Sequence, residues 1–326
     1  MSNPFAPPLS ASEEVRSGWS PEQPPEKTSR WRRRIRRPQR PTGPQLPLSP
    51  ARSMIMTTAG TVAILGVWLV LYALFFSGLA ESHDQHVMYS QFREKLALAT
   101  VPIGGVIKPG TPIALISAPS IKLHSIVVEG TTSKNLENGP GHYPSSPLPG
   151  QAGISQIFGK SATFGSPFGS LTSLRAGAPI TVTTGQGIFT YRVDDVRRAG
   201  DPIPGVLASN PSSLILETAT GSGWRSGWAP SQVIYVDASL SGGKIQPTPA
   251  GRPAVSPAVD NELASDTGDL VPLVLWLQVL ILLSVGLVYA HTRWSLWQMW
   301  LVGLPAVIAV LWGTTSCALY LLPNLA

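Results

Sequence analysis

Gly153-Ile154-Ser155-Gln156-Ile157-Phe158-Gly159-Lys160-Ser161-Ala162-Thr163-Phe164-Gly165-Ser166-Pro167-Phe168 reads as an apolar strand that halts at a glycine. A short polar turn follows, then Gly-Ser-Pro-Phe. Glycine at a strand end allows another part of the chain to approach the backbone closely. The polar side chain just beyond it stands on a loop held by a rigid sheet, where reactive and binding groups concentrate. That side chain is Lys160.

On both sides of this stretch, from 100 to 240, short runs rich in Val, Ile, Thr and Tyr alternate with Gly, Pro, Ser and Asn clusters. Strands are predicted at 112–117, 121–128, 154–158, 180–184, 188–196, 213–218 and 232–238. Thr184-Gly185-Gln186-Gly187-Ile188 has the composition of a hairpin turn. Strand alternation then puts Phe189, Tyr191 and Val193 on one face and Thr190 and Arg192 on the other. Closely spaced strands with no long helical pattern between them argue for a barrel or sandwich. The fold class expected is mainly β, a closed barrel outside the membrane, with three transmembrane helices.

The helices come from the flanks. Residues 1–52 are rich in Pro, Ser, Glu and Arg and lack apolar periodicity, so a disordered, basic cytoplasmic tail is expected. Residues 54–79 form an uncharged apolar run, long enough to cross a bilayer at roughly 20 residues per span. The basic run Arg30-Trp31-Arg32-Arg33-Arg34-Ile35-Arg36-Arg37 is therefore read as a topogenic flank touching anionic membrane lipid, not as a nucleic-acid site. Residues 80–99 have the spacing of a juxtamembrane helix. Within it His83 and His86 lie one turn apart, without the further ligands a metal needs. Residues 241–269 are a Gly, Pro, Ser and Asp rich linker, and 270–290 and 297–322 are two more apolar runs. Three spans would leave the N-terminus and Arg293 cytoplasmic, and the barrel and the tail Pro323-Asn324-Leu325-Ala326 outside, in a multi-pass cell-membrane protein.

Of the 326 residues only 13% are charged, and the net charge of +6 is weighted to the N-terminal tail. The single cysteine, Cys317, excludes an intrachain disulfide and a cysteine-ligated zinc, and lies inside the last apolar run. No Gly-rich phosphate loop or metal-ligand cluster is present, so no cofactor and no metal are expected.

Segments around the opening stretch resemble those of a known family. They are Val127-Val128-Glu129-Gly130-Thr131, Gly139-Pro140-Gly141-His142-Tyr143, Leu148-Pro149-Gly150-Gln151-Ala152-Gly153, Gly165-Ser166-Pro167-Phe168 and Leu174-Arg175-Ala176-Gly177. In order and spacing they resemble the sortases, the cysteine transpeptidases of Gram-positive cell surfaces, and among these the membrane-anchored class E type of actinobacteria. The resemblance covers most of residues 88–240 and implies a closed barrel of about eight strands.

Sortase chemistry uses a thiolate nucleophile, a histidine that handles the proton and an arginine at the oxyanion. The resemblance places these roles at Ala219, after Leu214-Ile215-Leu216-Glu217-Thr218; at Lys160; and at Gln232, before Val233-Ile234-Tyr235-Val236. All three chemical groups are thus replaced, and no catalytic residue is expected. A pseudoenzyme follows, its barrel binding a cell-envelope peptide, glycan or protein. Two rival readings remain. In one, Lys160 with its pKa lowered by burial activates Thr218, Thr220 or Ser222, with Arg225 near the oxyanion. In the other, the chain is a structural subunit of a membrane complex.

The loop Gly221-Ser222-Gly223-Trp224-Arg225-Ser226-Gly227-Trp228 follows the lost cysteine position. Trp224, Arg225 and Trp228 suit peptide or glycan binding, with Thr218 and Ser222 alongside. The same tryptophans would equally suit the barrel wall or the membrane interface. His142 matches a family loop position and is expected to hold that loop by a hydrogen bond.

Overall fold

The computed structural model describes residue 60 and residues 63–202, 204–205, 211–221, 230–265, 267–291, 293 and 295–325. The expected tail 1–52 and the start of the first apolar run lie outside them, as do Ser222, Trp224, Arg225 and Trp228.

The strands are β1 (Pro112–Ala118), β2 (Leu123–Glu129), β3 (Gly141–His142), β4 (Gly153–Phe158), β5 (Pro179–Thr184), β6 (Gly187–Arg198), β7 (Ser212–Thr220) and β8 (Gln232–Gly242). They close into one barrel in the order β1-β2-β3-β4-β7-β8-β6-β5. Closure removes both sheet edges, so every strand finds a partner. β4 runs parallel to β7, with Gly153 opposite Ser212 and Phe158 opposite Glu217. The two-residue strand β3, which periodicity does not reveal, bridges β2 and β4. The predicted hairpin pairs Thr184 with Gly187 across Gly185-Gln186.

Period-two alternation fills the interior. Ile180 and Val182 of β5, Phe189, Tyr191 and Val193 of β6, Leu214 and Leu216 of β7, and Val236 and Ala238 of β8 pack in one core. Tyr191 is buried yet satisfied, since its hydroxyl accepts a hydrogen bond from Gly150 N at 2.7 Å. At Gly150 φ is +90°, and an added Cβ would sit 2.3 Å from the Phe189 ring, so only glycine fits the turn against this core.

The α-helices whose bounds are described are α1 (Ser77–Ala97), α2 (Ser133–Leu136), α3 (Leu270–His291) and α4 (Leu296–Tyr320). Among the described residues two of them, α3 and α4, are long and apolar enough to cross a membrane, rather than the three spans expected. The first run is helical from residue 63, passes through a π turn at Tyr72–Phe76 and continues unbroken into the polar α1. This segment packs on α4 through Trp68 Nε1 to Thr315 Oγ1 at 3.2 Å and a 2.7 Å bond between the Tyr72 and Ser316 hydroxyls.

α1 does not stand free of the barrel. Gln85 Nε2 donates to Ile126 O and Asn138 O, Ile126 N donates back to Gln85 Oε1 at 2.7 Å, and Phe92 is buried against Val101 and Ile126. Residues 245–265 run along the barrel as a strap. Arg252 Nη2 reaches Glu129 Oε1 at 2.6 Å, Thr131 Oγ1 donates to Asp260 O at 2.7 Å, and Tyr235 OH donates to Glu262 Oε1 at 2.8 Å.

Candidate functional site

The stretch from Gly153 to Phe168 builds one rim of the barrel. β4 ends at Phe158, and the next residue is glycine because an added Cβ at Gly159 would lie 2.4 Å from the Phe168 ring, which folds back over it. Gly159 N donates to Glu217 O at 3.0 Å, and Thr218 Oγ1 donates to Gly159 O at 3.0 Å. These bonds tie the end of β4 to the end of β7, so the chain leaves the sheet at Lys160 beside Thr218 and Ala219.

Lys160 is wholly buried. Its Nζ donates to Ser133 Oγ at 3.0 Å and lies 5.3 Å from the centre of the Phe164 ring. Burial lowers its pKa from 10.5 to about 7, against an opposing pull from the Glu137 carboxylate. Glu137 is itself raised by burial, offset first by the hydrogen bond it accepts from Tyr320 at the end of α4 and, less strongly, by the charge of Lys160. An amine lowered this far by burial, with a hydroxyl in reach, exchanges its proton around neutral pH.

Ala219 is 3% exposed, opposite Val233 in the β7–β8 ladder. Gln232 begins β8 opposite Thr220 and is exposed. Thr218 is buried with its hydroxyl spent on Gly159 O, so it does not serve Lys160. The hydroxyl at Lys160 is that of Ser133, at the start of α2, which strand and span patterns give no reason to single out. His142 holds the turn after β3: Nδ1 is 3.0 Å from Glu129 Oε2, and Nε2 is 2.9 Å from Pro147 O and 3.1 Å from Ser146 Oγ.

The segment that follows α4 joins the apolar cluster that holds Ala219. Leu325, wholly buried, packs with Leu136, Phe158, Ala219 and Val233, flanked by Tyr143 and Tyr235. Leu325 O accepts from Ser161 N and from Ser161 Oγ, each at 3.1 Å. On either side of this seal two openings remain. One of about 170 Å³ is lined by Ser161, Thr172, Thr218, Ala219 and Thr220. The other, of about 580 Å³, lies between Tyr143, Gln156 and Phe158 of the barrel and Asn261, Glu262 and Leu263 of the strap. Above it Glu217, wholly buried, has its carboxyl pushed well above the usual range by burial and then by the charge of Glu262. Among the described residues no group of three or more His, Cys, Asp or Glu is placed to hold a metal ion.

Residues 116–226 match the sortase domain family. No curated protein matches the chain. Among solved structures, a sortase D5 transpeptidase from Clostridium perfringens is 26% identical, over 49% of this chain and 99% of that one, with a TM-score of 0.40. Sortase E from Streptomyces avermitilis is 28% identical, over 42% of this chain and 91% of that one, with a TM-score of 0.35. Sortase E1 from Streptomyces coelicolor, solved with a tripeptide in its active site, is 24% identical over 41% and 90%, with a TM-score of 0.35. The match to the sortase domain family thus falls within the closed barrel and takes in strands β1 to β7 in whole or in part.

Proposed function

We propose that this is a membrane-anchored sortase-domain protein without sortase chemistry, whose extracytoplasmic barrel binds a cell-envelope peptide, glycan or protein. The observation that carries this reading is the rim itself. Where a thiolate would attack, Ala219 offers a methyl group in the apolar cluster that holds Leu325; the proton-handling position is the buried Lys160; the oxyanion position is the uncharged Gln232. A methyl group forms no thioester, and an exposed carboxamide supplies no charge. The apolar helices α3 and α4 support anchoring, and Arg293 between them supports a cytoplasmic hairpin turn with the barrel outside.

The test uses the full chain in lipid nanodiscs, supplied with sorting-signal peptides and an amine acceptor. No ligated or hydrolysed peptide is expected. Turnover that survives Lys160→Ala would overturn the reading.

One observation favours a second reading. The 3.0 Å bond between Lys160 Nζ and Ser133 Oγ is the geometry of a Ser–Lys dyad, with Ser133 in the role assigned above to Thr218, Thr220 or Ser222. Both side chains are wholly buried, which denies a substrate access while Leu325 is seated. Covalent capture of Ser133 by a fluorophosphonate, lost in Lys160→Ala, would establish this reading in place of the first.

A further inference from the structure

The cleft at the rim is not vacant, because a segment of the chain itself lies in it. Leu325 fills an apolar seat made by β4, β7, β8 and α2. Beside it, Asn324 Nδ2 donates to Val259 O at 2.7 Å and Asn261 O at 2.8 Å, and Asn324 N donates to Ala264 O at 2.9 Å. With the two bonds to Leu325 O, the segment is held as a bound peptide is held: main-chain hydrogen bonds along its length and a pocket for one side chain. Its partners come from two layers. Ser161 and the apolar seat belong to the barrel, whereas Val259, Asn261 and Ala264 belong to the strap.

We propose that Asn324 and Leu325 are a built-in ligand, seated in cis in the apolar cluster that holds Ala219, and that the cleft accepts an extended peptide of the same chemistry: a carboxamide side chain followed by a branched apolar side chain. The segment continues directly from α4, whose last turns are tied to Glu137, just after α2, through Tyr320 and to the first helix through Thr315 and Ser316. Displacement of α4 along its axis therefore withdraws Leu325 from its seat, so the position of the membrane helix and the occupancy of the cleft are one equilibrium. The seat is also not fully satisfied. Among the described residues Asn324 Oδ1 is buried without a hydrogen-bond partner, which weakens the hold as expected for a segment that can leave.

The test uses the full chain in nanodiscs, with Cys317→Ser as background and Val233→Cys as reporter, since Val233 is 2% exposed in the cluster that holds Leu325. Its reaction with a membrane-impermeant maleimide is expected to be at least about ten-fold faster after Asn324→Ala with Leu325→Gly, because the local opening that exposes it becomes easier. A fluorescent Leu-Pro-Asn-Leu-Ala peptide is expected to bind the substituted protein and not its parent. Equal labelling rates in the two proteins would overturn the seat. Faster labelling without peptide binding would overturn the ligand. If the double variant melts without a cooperative transition, Asn324→Ala alone keeps the proposal open to refutation, with a smaller acceleration in the same direction expected. The labelling arm does not depend on the reading of the barrel as a binding module. Only the peptide arm rests on it, so the two fail separately.

Discussion

The barrel interior and the apolar seat of Leu325 at its rim are both buried, yet they are closed in different ways. The interior is sealed by the strands' own alternation: Phe189, Tyr191 and Val193 of β6 meet Val236 and Ala238 of the paired strand β8 and, beyond it, Leu214 and Leu216 of β7. The cleft is sealed by residues brought from far away. Leu325 lies more than 100 residues beyond Ala219, and Arg252 reaches back to Glu129 and His142. The first closure follows from local pattern and strand pairing. The second requires the strap and the α3–α4 hairpin to return the chain to the barrel. A core closed locally opens only when the domain unfolds, whereas a seal made of borrowed segments opens with their departure.

Three substitutions sharpen that contrast. Phe189→Ala removes a ring that is 1% exposed at the centre of the interior, and a loss of about 3–5 kcal/mol is expected, read as a lower midpoint for the whole domain in a denaturant melt. If instead only the strap loosened, the two regions would not be distinct. Arg252→Ala leaves Glu129, with its carboxylate 2% exposed, without its cation, and a loss of about 3 kcal/mol is expected. Hydrogen exchange should quicken in residues 245–265 while β5 and β6 stay protected. Uniform loss of protection would contradict the picture of a separable seal.

The third concerns the buried amine. A lysine whose folded pKa is about 7 against an ordinary 10.5 binds fewer protons folded than unfolded throughout that window. Its contribution to stability therefore rises with pH from about 7 upward and is flat below. Relative to Lys160→Met, the parent should gain about 2 kcal/mol between pH 7 and pH 8.5, at about 1.4 kcal/mol per pH unit. A pH-independent difference would mean that the amine stays charged in its pocket, which would also remove the basis of the Ser133–Lys160 reading.

The sequence carried the barrel because alternation is a local property. The runs at 180–184 and 188–196 each announce a strand with one buried face, the more continuous apolar run at 213–218 belongs to a strand buried on both, and Thr184–Gly187 announces the hairpin turn. β3 escaped because two residues, Gly141 and His142, are too few to show a period. The first apolar run was legible as helix, but composition could not show that it continues unbroken into α1 or that Tyr72 is buried against α4. At the rim, the identities of Lys160, Ala219 and Gln232 are read directly from sequence, and their match to the family's chemical positions is what the resemblance implies. That Lys160 meets Ser133, that Thr218 is spent on Gly159, and that Leu325 joins the cluster of Ala219 were decided only in three dimensions. The physical reason is distance along the chain. Hydrophobic periodicity reports which face of a segment seeks cover, but the partner that supplies the cover is chosen by how the whole chain closes on itself.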